Sequence, residues 1–470
     1  VTGLVAGDPV DPGLNALAGQ NVTVAAVPAA AAAGAVPLSA FVPGANLPGT
    51  TDLRPFRTLL PSNDTLSLAG SLATTLFNSV STTFSAGIDT NRGTALLGLG
   101  TASLTLPAGN PFSPFAGAVL VDRYGNSDSP LRRLTEGWSG RLGVTMNTRL
   151  RDWNWTLTAN ASHAENQTRT DRGYDIAGIN ALLAAGDSGL NPFGPRLFDG
   201  RLVRNLANTT TNAADATLVA SGSPFALPAG DVAVTLRGTA QTLRLTSESQ
   251  QSGQGLPANT VRTGLTRSQG NFQFNFDLPL TSVRNAFLGR LGDNSVNFNL
   301  AVNALSDFGT LVTYGYGAKL SPVSGVIFLT SITEERGAPT VQQLGNPQIA
   351  TPNVRIFDYV RGTTVDITQI SGGNPGLIAD NRRVVKLGLT LKPFTETDLT
   401  LSANYIYSRI RNPIAAFPTA TAELEAAFRG RFSRDQAGRL LQIDSRPVNF
   451  AATTSQELRF NSFSNWPALQ

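Results

Sequence analysis

The stretch "NFQFNFDLPL", Asn271 to Leu280, alternates apolar and polar residues without a break. Successive side chains of a β-strand project to opposite faces, so this pattern predicts a strand with one apolar and one polar face. The apolar set is Phe272, Phe274, Phe276, Leu278 and Leu280, and the polar set is Asn271, Gln273, Asn275 and Asp277. The medium that covers the apolar face, a protein core or something else, decides the class of function.

The same two-residue period recurs along much of the chain. It is found in "DTLSLAGSLATTLF" (64–77), "WSGRLGVTMNTRL" (138–150), "NWTLTANAS" (154–162), "VNFNLAVNAL" (296–305) and "DLTLSANYIY" (398–407). Alternation sustained over this many segments predicts an all-β architecture. Several aromatic residues lie near the segment ends: Trp138, Trp153, Trp155, Tyr314, Tyr316, Tyr405 and Tyr407. They fit an interfacial girdle of a membrane protein or the ordinary strand preference of aromatic residues.

The composition narrows the function classes. Charged residues make up 14% of the 470 residues, well below the roughly 25% that is typical of soluble proteins. The longest apolar candidate, Val24 to Gly44, is alanine-rich and interrupted by prolines, and we interpret it as a flexible low-complexity loop. The chain has no cysteine, which excludes disulfides, thiolate metal sites and cysteine catalysis. Its arginines are dispersed, so no nucleic-acid partner is predicted.

Connections between the segments alternate in length. Short connections are predicted at Phe77–Ser79, Arg151–Trp153, Ser321–Gly325 and Pro393–Asp398, and long ones at about 91–137, 165–231, 336–381 and 409–456. The short link Ser306–Gly309 and the longer link Thr281–Asp293 depart from this alternation. Short turns at one end and long loops at the other are typical of outer-membrane β-barrels. The segments are also close to the ~9–11 residues with which a tilted strand crosses a bilayer.

Several segments resemble TonB-dependent outer-membrane receptors. "ITEERGAPTVQQLGNP" (332–347) resembles their strand-end and loop segment with an Arg-Ala-Pro-like element, here Arg336-Gly337-Ala338-Pro339 with an extra glycine. "SGGNPGLIADNRRVVKLGLTLKPF" (371–394) is similar to their Gly-Asn-Pro-x-Leu element, and "DLTLSANYIYSRIRNPI" (398–414) to the following strand. "FRTLLPSNDTLSLAGSLATTL" (56–76) and "LNPFG" (190–194) resemble other barrel segments. The similarity spans about Phe56 to Phe460.

The resemblance implies part of a transmembrane, up-and-down antiparallel barrel of ~22 strands in the bacterial outer membrane. Such receptors import a scarce ligand, such as a siderophore, cobalamin or an oligosaccharide, when the TonB complex displaces an N-terminal plug. They are not enzymes, and no cofactor is implied. Because no plug-like segment or TonB-engaging box is recognisable, we expect residues 1–64 to form an extracellular-loop-like low-complexity segment and 65–470 a partial barrel. The expected partners are outer-membrane lipid, a small ligand, and the TonB complex through a plug outside this chain.

Few residues qualify as site candidates. Arg355, Asp358, Tyr359 and Arg361 lie in a long loop that should face outside, where they would either bind a ligand or form a solvated hairpin. Arg141 and Arg149 share the polar side of a predicted strand and should line the lumen, since an arginine facing lipid at mid-depth costs roughly 2–4 kcal/mol.

No catalytic or metal-binding residue is predicted. His163 is the only histidine, and one histidine without a bracketing Ser/Asp pattern supports neither a metal site nor catalysis. Short helices within loops are predicted at "INALLAAGDSGL" (179–190) and "TAELEAAF" (421–428).

Two other classes of protein remain open. One is a passive porin or another barrel that no energy source drives. The other is a secreted, soluble all-β adhesin or binding protein, for which a repeat of fixed period would be expected if it were a solenoid. Dependence on detergent separates the barrels from the soluble protein.

Overall fold

The computed structural model of the chain describes residues 1–5, 7–125, 129–253, 259–394 and 399–463. Its strands are β1 Ser62–Leu76, β2 Val80–Leu96, β3 Thr101–Leu106, β4 Val119–Tyr124, β5 Arg132–Leu150, β6 Trp153–Tyr174, β7 Leu202–Gly222, β8 Ala226–Leu227, β9 Gly230–Asp231, β10 Ala233–Ser252, β11 Asn259–Thr281, β12 Asp293–Leu305, β13 Gly309–Ser321, β14 Val326–Gly337, β15 Ile349–Asp358, β16 Thr363–Ser371, β17 Asp380–Leu391, β18 Thr400–Arg411, β19 Ile414–Ala415, β20 Phe432–Arg434, β21 Leu440–Asp444, β22 Val448–Asn449 and β23 Ala452–Phe463.

The helices are short. The α-helices are α1 Pro12–Ala18, α2 Ile176–Ala184, α3 Val341–Gly345 and α4 Ala422–Ala427, and 3-10 turns cover Ala29–Ala32, Leu38–Gly44, Arg54–Phe56, Gly289–Leu291 and Arg429–Arg431. A helix is present at each of the two predicted positions, as α2 and α4, but α2 ends at Ala184 and not at the predicted Leu190. Over the part of the chain described here, no helix has the length and apolar character to cross a membrane.

Thirteen strands form one antiparallel sheet. Its order is β1-β2-β5-β6-β7-β10-β11-β12-β13-β14-β17-β18-β23, so each strand pairs with the next sheet strand along the chain. This is an up-and-down meander, and the prediction of an all-β antiparallel architecture is confirmed. The remaining strands form small sheets within the connections.

The register aligns the alternating patterns of neighbouring strands. Phe274 pairs with Leu236 on one side and with Leu300 on the other, while its neighbour Asn275 pairs with Thr235 and Asn299. The sheet therefore has an apolar face, which carries the phenylalanines of 272–276, and a polar face, which carries the Asn and Gln residues between them. Large side chains on the apolar face are widely exposed, for example Leu142 at 65% and Phe272 at 55%.

The two ends of the sheet differ. At what we call the turn end, strands are joined by short segments such as 77–79, 151–152 and 322–325. At the loop end, the connections include 97–131, 175–201, 338–379 and 412–451. The short link predicted at Ser306–Gly309 is an exception to this difference and is also present, because residues 306–308 join β12 and β13 at the loop end. The predicted turn at Pro393–Asp398 lies partly outside the described residues.

Two expectations about the strands are wrong. The predicted long connection at 165–231 contains β7 and the end of β6, because "LVRNLANTTTNAADATLVASG" pairs with β6 along its length and with β10 from Arg204 onward. The strands are also longer than the alternating segments, with 23 residues in β11 and 22 in β6. Alternation in these extensions is weak because their residues on both faces are mostly small or polar, and backbone pairing forms the strand.

The edges of the sheet are β1 and β23. Both strands run from the loop end to the turn end, since an even number of reversals separates them. Direct pairing between the two edges would therefore be parallel, and in the part of the chain that is described they do not pair.

The main hydrophobic core lies at the loop end. Residues 1–45, the β3–β4 hairpin and the connection around α2 bury a shared cluster that includes Leu14, Phe41, Leu104 and Ile179, each fully buried. Phe41 contacts the ring of Phe115 edge-on, with centroids 5.0 Å apart. The segment Val24–Gly44, which the sequence predicts to be a loop, thus contains two 3-10 turns and packs into this core.

Candidate functional site at the loop end

The connection between β14 and β17 folds across the polar face. Its segment Gly345–Gln348 lies against β7 and β10, although β10 is four strands away from β14 in the sheet. Ser247 Oγ donates to the carbonyl oxygen of Gly345 at 2.7 Å, and Ser249 Oγ donates to that of Gln348 at 2.9 Å. A connection can reach these strands only across the inside of a curved sheet, so the polar face is the covered, concave face at this end.

A capped helix shapes this connection. Thr340 and Gln343 form a capping box around α3, in which Thr340 Oγ1 accepts from the backbone N–H of Gln343 at 3.1 Å and Gln343 Oε1 accepts from that of Thr340 at 2.8 Å. Gly345, at the end of α3, lies close to side chains of β10 and β11 on the polar face. A Cβ atom there would lie 2.5 Å from Leu265 Cδ1, so any other residue at this position would require the Leu265 side chain to shift.

Arg267 joins two loop-end connections. Its guanidinium donates to both carboxylate oxygens of Asp307, with the Nη2–Oδ2 distance at 2.7 Å, and Nη1 donates to the carbonyl oxygen of Pro339 at 2.8 Å. Asp307 belongs to the tight β12–β13 connection, and Pro339 belongs to the receptor-like element. The Arg267 side chain is only 10% exposed, which makes these bonds stronger than those of a surface pair.

A second, smaller sheet stands beside this region. Strands β15, β16, β21 and β20 form it in that order, with β16 and β21 parallel, and we call it the loop sheet. Its core consists of Ile367, Leu440 and Ile443. Two connections from different parts of the chain, 338–379 and 412–451, therefore fold into one unit.

The four loop candidates lie on the β15–β16 hairpin of the loop sheet. Arg355 pairs with Asp366 at 3.2 Å, and Arg361 Nη1 donates to the carbonyl oxygen of Ala437 at 2.7 Å. Tyr359 is 53% exposed, and its ring contacts Phe357 edge-on. Asp358 is buried, so of the four side chains it is the least available to a ligand.

Asp358 belongs to an ion cluster. Arg434 donates to both of its carboxylate oxygens at 2.7 and 2.9 Å, and to Glu425 at 2.7 Å. The Arg434 guanidinium holds the pKa of Asp358 below its usual value, and the bonds to Glu425 and Asp358 raise the pKa of Arg434. Asp358 also accepts from the backbone N–H groups of Val360 and Arg361, so it fixes the hairpin turn.

The two strand candidates, Arg141 and Arg149, lie on the polar face. Arg141 is opposite Gly87 in the register and donates to Asp89 Oδ2 at 2.8 Å. Arg149 is closer to the turn end, where its Nε donates to the carbonyl oxygen of Arg151 at 3.4 Å. Their side chains bond to β2 and to the β5–β6 turn rather than to the loop sheet, so the structure does not bring the six candidates together.

His163 lies on the apolar face. Its ring contacts Trp138, with centroids 5.0 Å apart, and its nitrogens lie 2.7 Å from Asn212 Oδ1 and 3.3 Å from Glu165 Oε1. Among the described residues, no group of three or more His, Cys, Asp or Glu side chains could hold a metal ion.

A cavity of about 400 Å³ lies between the polar face and the folded connections, and we call it the loop cavity. Its wall includes Asn205, Ser247, Ser249, Gln251, Arg172 and Arg446. Apolar alternation does not reveal these residues, because they lie in polar parts of β6, β7 and β10 or, for Arg446, in a loop-end connection. The spacing of Ser247, Ser249 and Gln251 by two residues is the signal that would have placed them on one face.

Comparisons with known proteins give matches only among solved structures, since neither a family model nor a curated protein matches the chain. The RagAB peptide importer in its closed-closed state has a TM-score of 0.46 at 12% identity, over 85% of this chain and 44% of that chain. The siderophore receptor PirA from Acinetobacter baumannii has a TM-score of 0.45 at 10% identity, over 86% of this chain and 50% of that chain. The ferric-catecholate import receptor Fiu from E. coli K12 has a TM-score of 0.42 at 10% identity, over 86% of this chain and 56% of that chain. This chain thus spans about half the length of these proteins.

Proposed function

We propose that this chain is the barrel portion of a TonB-dependent outer-membrane receptor that imports a scarce ligand. The receptor-like segments 332–347 and 371–394 support this family, and they include the two ends of the connection 338–379, which folds across the polar face. The imported ligand would be of the siderophore, cobalamin or oligosaccharide type that the resemblance implies.

The exposed apolar face is the observation that carries the proposal. Its large side chains are open from β1, with Leu72 at 65%, to β23, with Phe460 at 73%. A soluble protein rarely exposes a contiguous apolar patch of more than a few hundred Å². A lipid bilayer would cover this face, and the strands of the sheet pair with their neighbours along the chain, which satisfies backbone groups as a membrane requires.

The polar face would line the lumen of the barrel. Arg141 and Arg149 would then face water, where they carry no desolvation cost. Because the two edge strands run in the same direction, a closed antiparallel barrel requires an odd number of further strands between them, which agrees with the even strand counts of bacterial barrels.

Ligand capture would take place at the loop end, which we assign to the cell exterior. The β15–β16 hairpin with Arg355, Asp358, Tyr359 and Arg361 remains a predicted contact region. In it, Arg355, Tyr359 and Arg361 are exposed, whereas Asp358 is buried and would act by holding the turn.

Import would follow when the TonB complex displaces a plug held in the lumen. The plug and the TonB contact would belong to segments outside this chain. The step breaks and forms no covalent bond in the ligand, so we assign no catalytic residue and no cofactor.

Uptake in a Gram-negative host tests the proposal. Cells that carry the complete gene, and cells from which it is deleted, would be given labelled ferric siderophores, cobalamin and oligosaccharides, each with and without TonB. We expect the protein in the detergent-soluble outer-membrane fraction and uptake of one ligand class that requires both the gene and TonB.

The two other classes of protein give different results. Uptake that depends on the gene but persists without TonB would identify a passive barrel. Recovery of the folded protein in buffer without detergent would identify a soluble binding protein, and either result would overturn the proposal.

A further inference from the structure

The loop cavity carries an excess of positive charge. Two guanidinium groups line it, Arg172 from the end of β6 and Arg446 from the segment before β22, and none of its described lining residues is Asp or Glu. Arg446 contacts Asp444 at 2.7 Å, but Arg431 shares this carboxylate at 3.6 Å. One carboxylate therefore serves two guanidinium groups, and Arg172 adds a third positive charge.

Arg172 has no counter-ion within the part of the chain that is described. Its Nη1 donates to Gln251 Oε1 at 2.9 Å, and it takes part in none of the ion pairs there. The adjacent carboxylate, Asp171, is paired with Arg204 instead. A guanidinium has five N–H donors, and a partly buried one that lacks partners is destabilising. An anion in the cavity would remove this cost.

The cavity wall is held in place by bonds that do not involve a ligand. Ser247, Ser249 and Asn205 all donate to carbonyl oxygens of the segment Gly345–Gln348. Because these bonds fix the segment on the polar face, the space in front of Arg172 is preformed, and a ligand would not have to order it.

We infer that the loop cavity binds the carboxylate or phosphate group of a small ligand, with Arg172 as the principal contact. A planar guanidinium donates two parallel hydrogen bonds to either group. The volume of about 400 Å³ is within the ~300–1,000 Å³ of small-molecule sites. The inference rests on the proposed function only in identifying this ligand as imported cargo.

Titration calorimetry on the detergent-purified protein tests the inference, with glutarate, its uncharged analogue glutaramide and inorganic phosphate as probes. We expect glutarate to bind at least ~10-fold more tightly than glutaramide, and Arg172→Gln to weaken glutarate binding by at least ~10-fold. Arg172→Lys, which keeps the charge but loses the planar fork, should lie between. The ratio of glutarate to phosphate affinity identifies which of the two anions the cavity prefers.

The matched control is Arg262→Gln. Arg262 lies on β11 next to the cavity-lining Val261, is exposed and paired with Glu248, and its loss should change glutarate binding by less than ~2-fold. Heat-dependent gel mobility checks that each variant remains folded. Equal binding of glutarate and glutaramide, no binding of either anion, or an unchanged affinity in Arg172→Gln would overturn the inference.

This experiment and the uptake assay fail separately. Anion binding that depends on Arg172, without TonB-dependent uptake, would leave the cavity assignment intact and remove the import proposal. TonB-dependent uptake without anion binding would remove the cavity assignment and leave the import proposal intact.

Discussion

The wall of the sheet and the folded loop end are stabilised in different ways. In the wall, the backbone ladders of thirteen strands pair residue by residue, and the side chains need only be apolar on one face and polar on the other. At the loop end, individual side chains have individual partners, such as Arg434 with Asp358 and Glu425, or Arg267 with Asp307. In the thirteen-stranded sheet, which we call the wall, the effect of a substitution should therefore depend on the face that carries the residue. At the loop end, it should depend on the partner that the residue loses.

The largest expected effect is at the ion cluster of the loop sheet. Arg434→Met would leave the buried Asp358 carboxylate and Glu425 without their cation, which typically destabilises by about 3–5 kcal/mol. We expect the 412–451 connection to become sensitive to protease while the wall retains its heat-dependent gel mobility.

Arg439→Gln is the matched control for that variant. Arg439 pairs with Asp435 in the same connection, but its side chain is 70% exposed, so its loss should cost less than ~1 kcal/mol. Equal protease sensitivity of the two variants would contradict the partner-specific account of the loop end.

A somewhat smaller effect is expected in the wall. Leu142→Arg places a charge on the apolar face near the middle of β5, where facing lipid costs about 2–4 kcal/mol. Thr145→Arg, three residues away on the polar face, should change the free energy of unfolding by less than ~0.5 kcal/mol. Urea titrations of both variants in the same detergent or lipid measure the difference, and equal destabilisation would contradict the assignment of the two faces.

The effect of acid should be smaller and confined to the loop end. The Arg434 guanidinium lowers the pKa of Asp358 in the folded protein below the unfolded value of roughly 3.9. Its contribution to stability is therefore present above pH ~3.9 and is lost as the pH falls through the lower, folded pKa. Protease sensitivity of the loop sheet should rise in this window, and Arg434→Met should reduce the rise by the part that the Arg434–Asp358 pair contributes. A loss of protease resistance that begins near neutral pH would show that groups other than Asp358 control it.

The sequence predicted the wall better than the loop end, for a physical reason. Alternation is a local signal, and residues such as Phe272 to Phe276 carry it without knowledge of their partners. The strand β7 was not predicted because its alternating residues are Ala, Thr and Asn, which differ little in polarity.

The loop end depends on contacts between residues far apart in the chain. Arg434 and Asp358 are 76 positions apart, and Ser247 and Gly345 are 98 apart. Nothing in the local sequence of either partner indicates the other. Arg355, Asp358, Tyr359 and Arg361 share one hairpin because they are close in the chain, whereas Arg172 and the loop cavity depend on contacts between distant residues.

The central claim, that the apolar face contacts lipid and the polar face contacts water, is tested most directly on the stretch 271–276. The chain has no cysteine, so spin labels can be attached at single substitutions Phe272→Cys, Gln273→Cys, Phe274→Cys and Asn275→Cys in the bilayer-embedded protein. We predict that relaxation by lipid-soluble oxygen is strong at positions 272 and 274, and that relaxation by a water-soluble nickel chelate is strong at 273 and 275. A uniform or reversed pattern would contradict the claim.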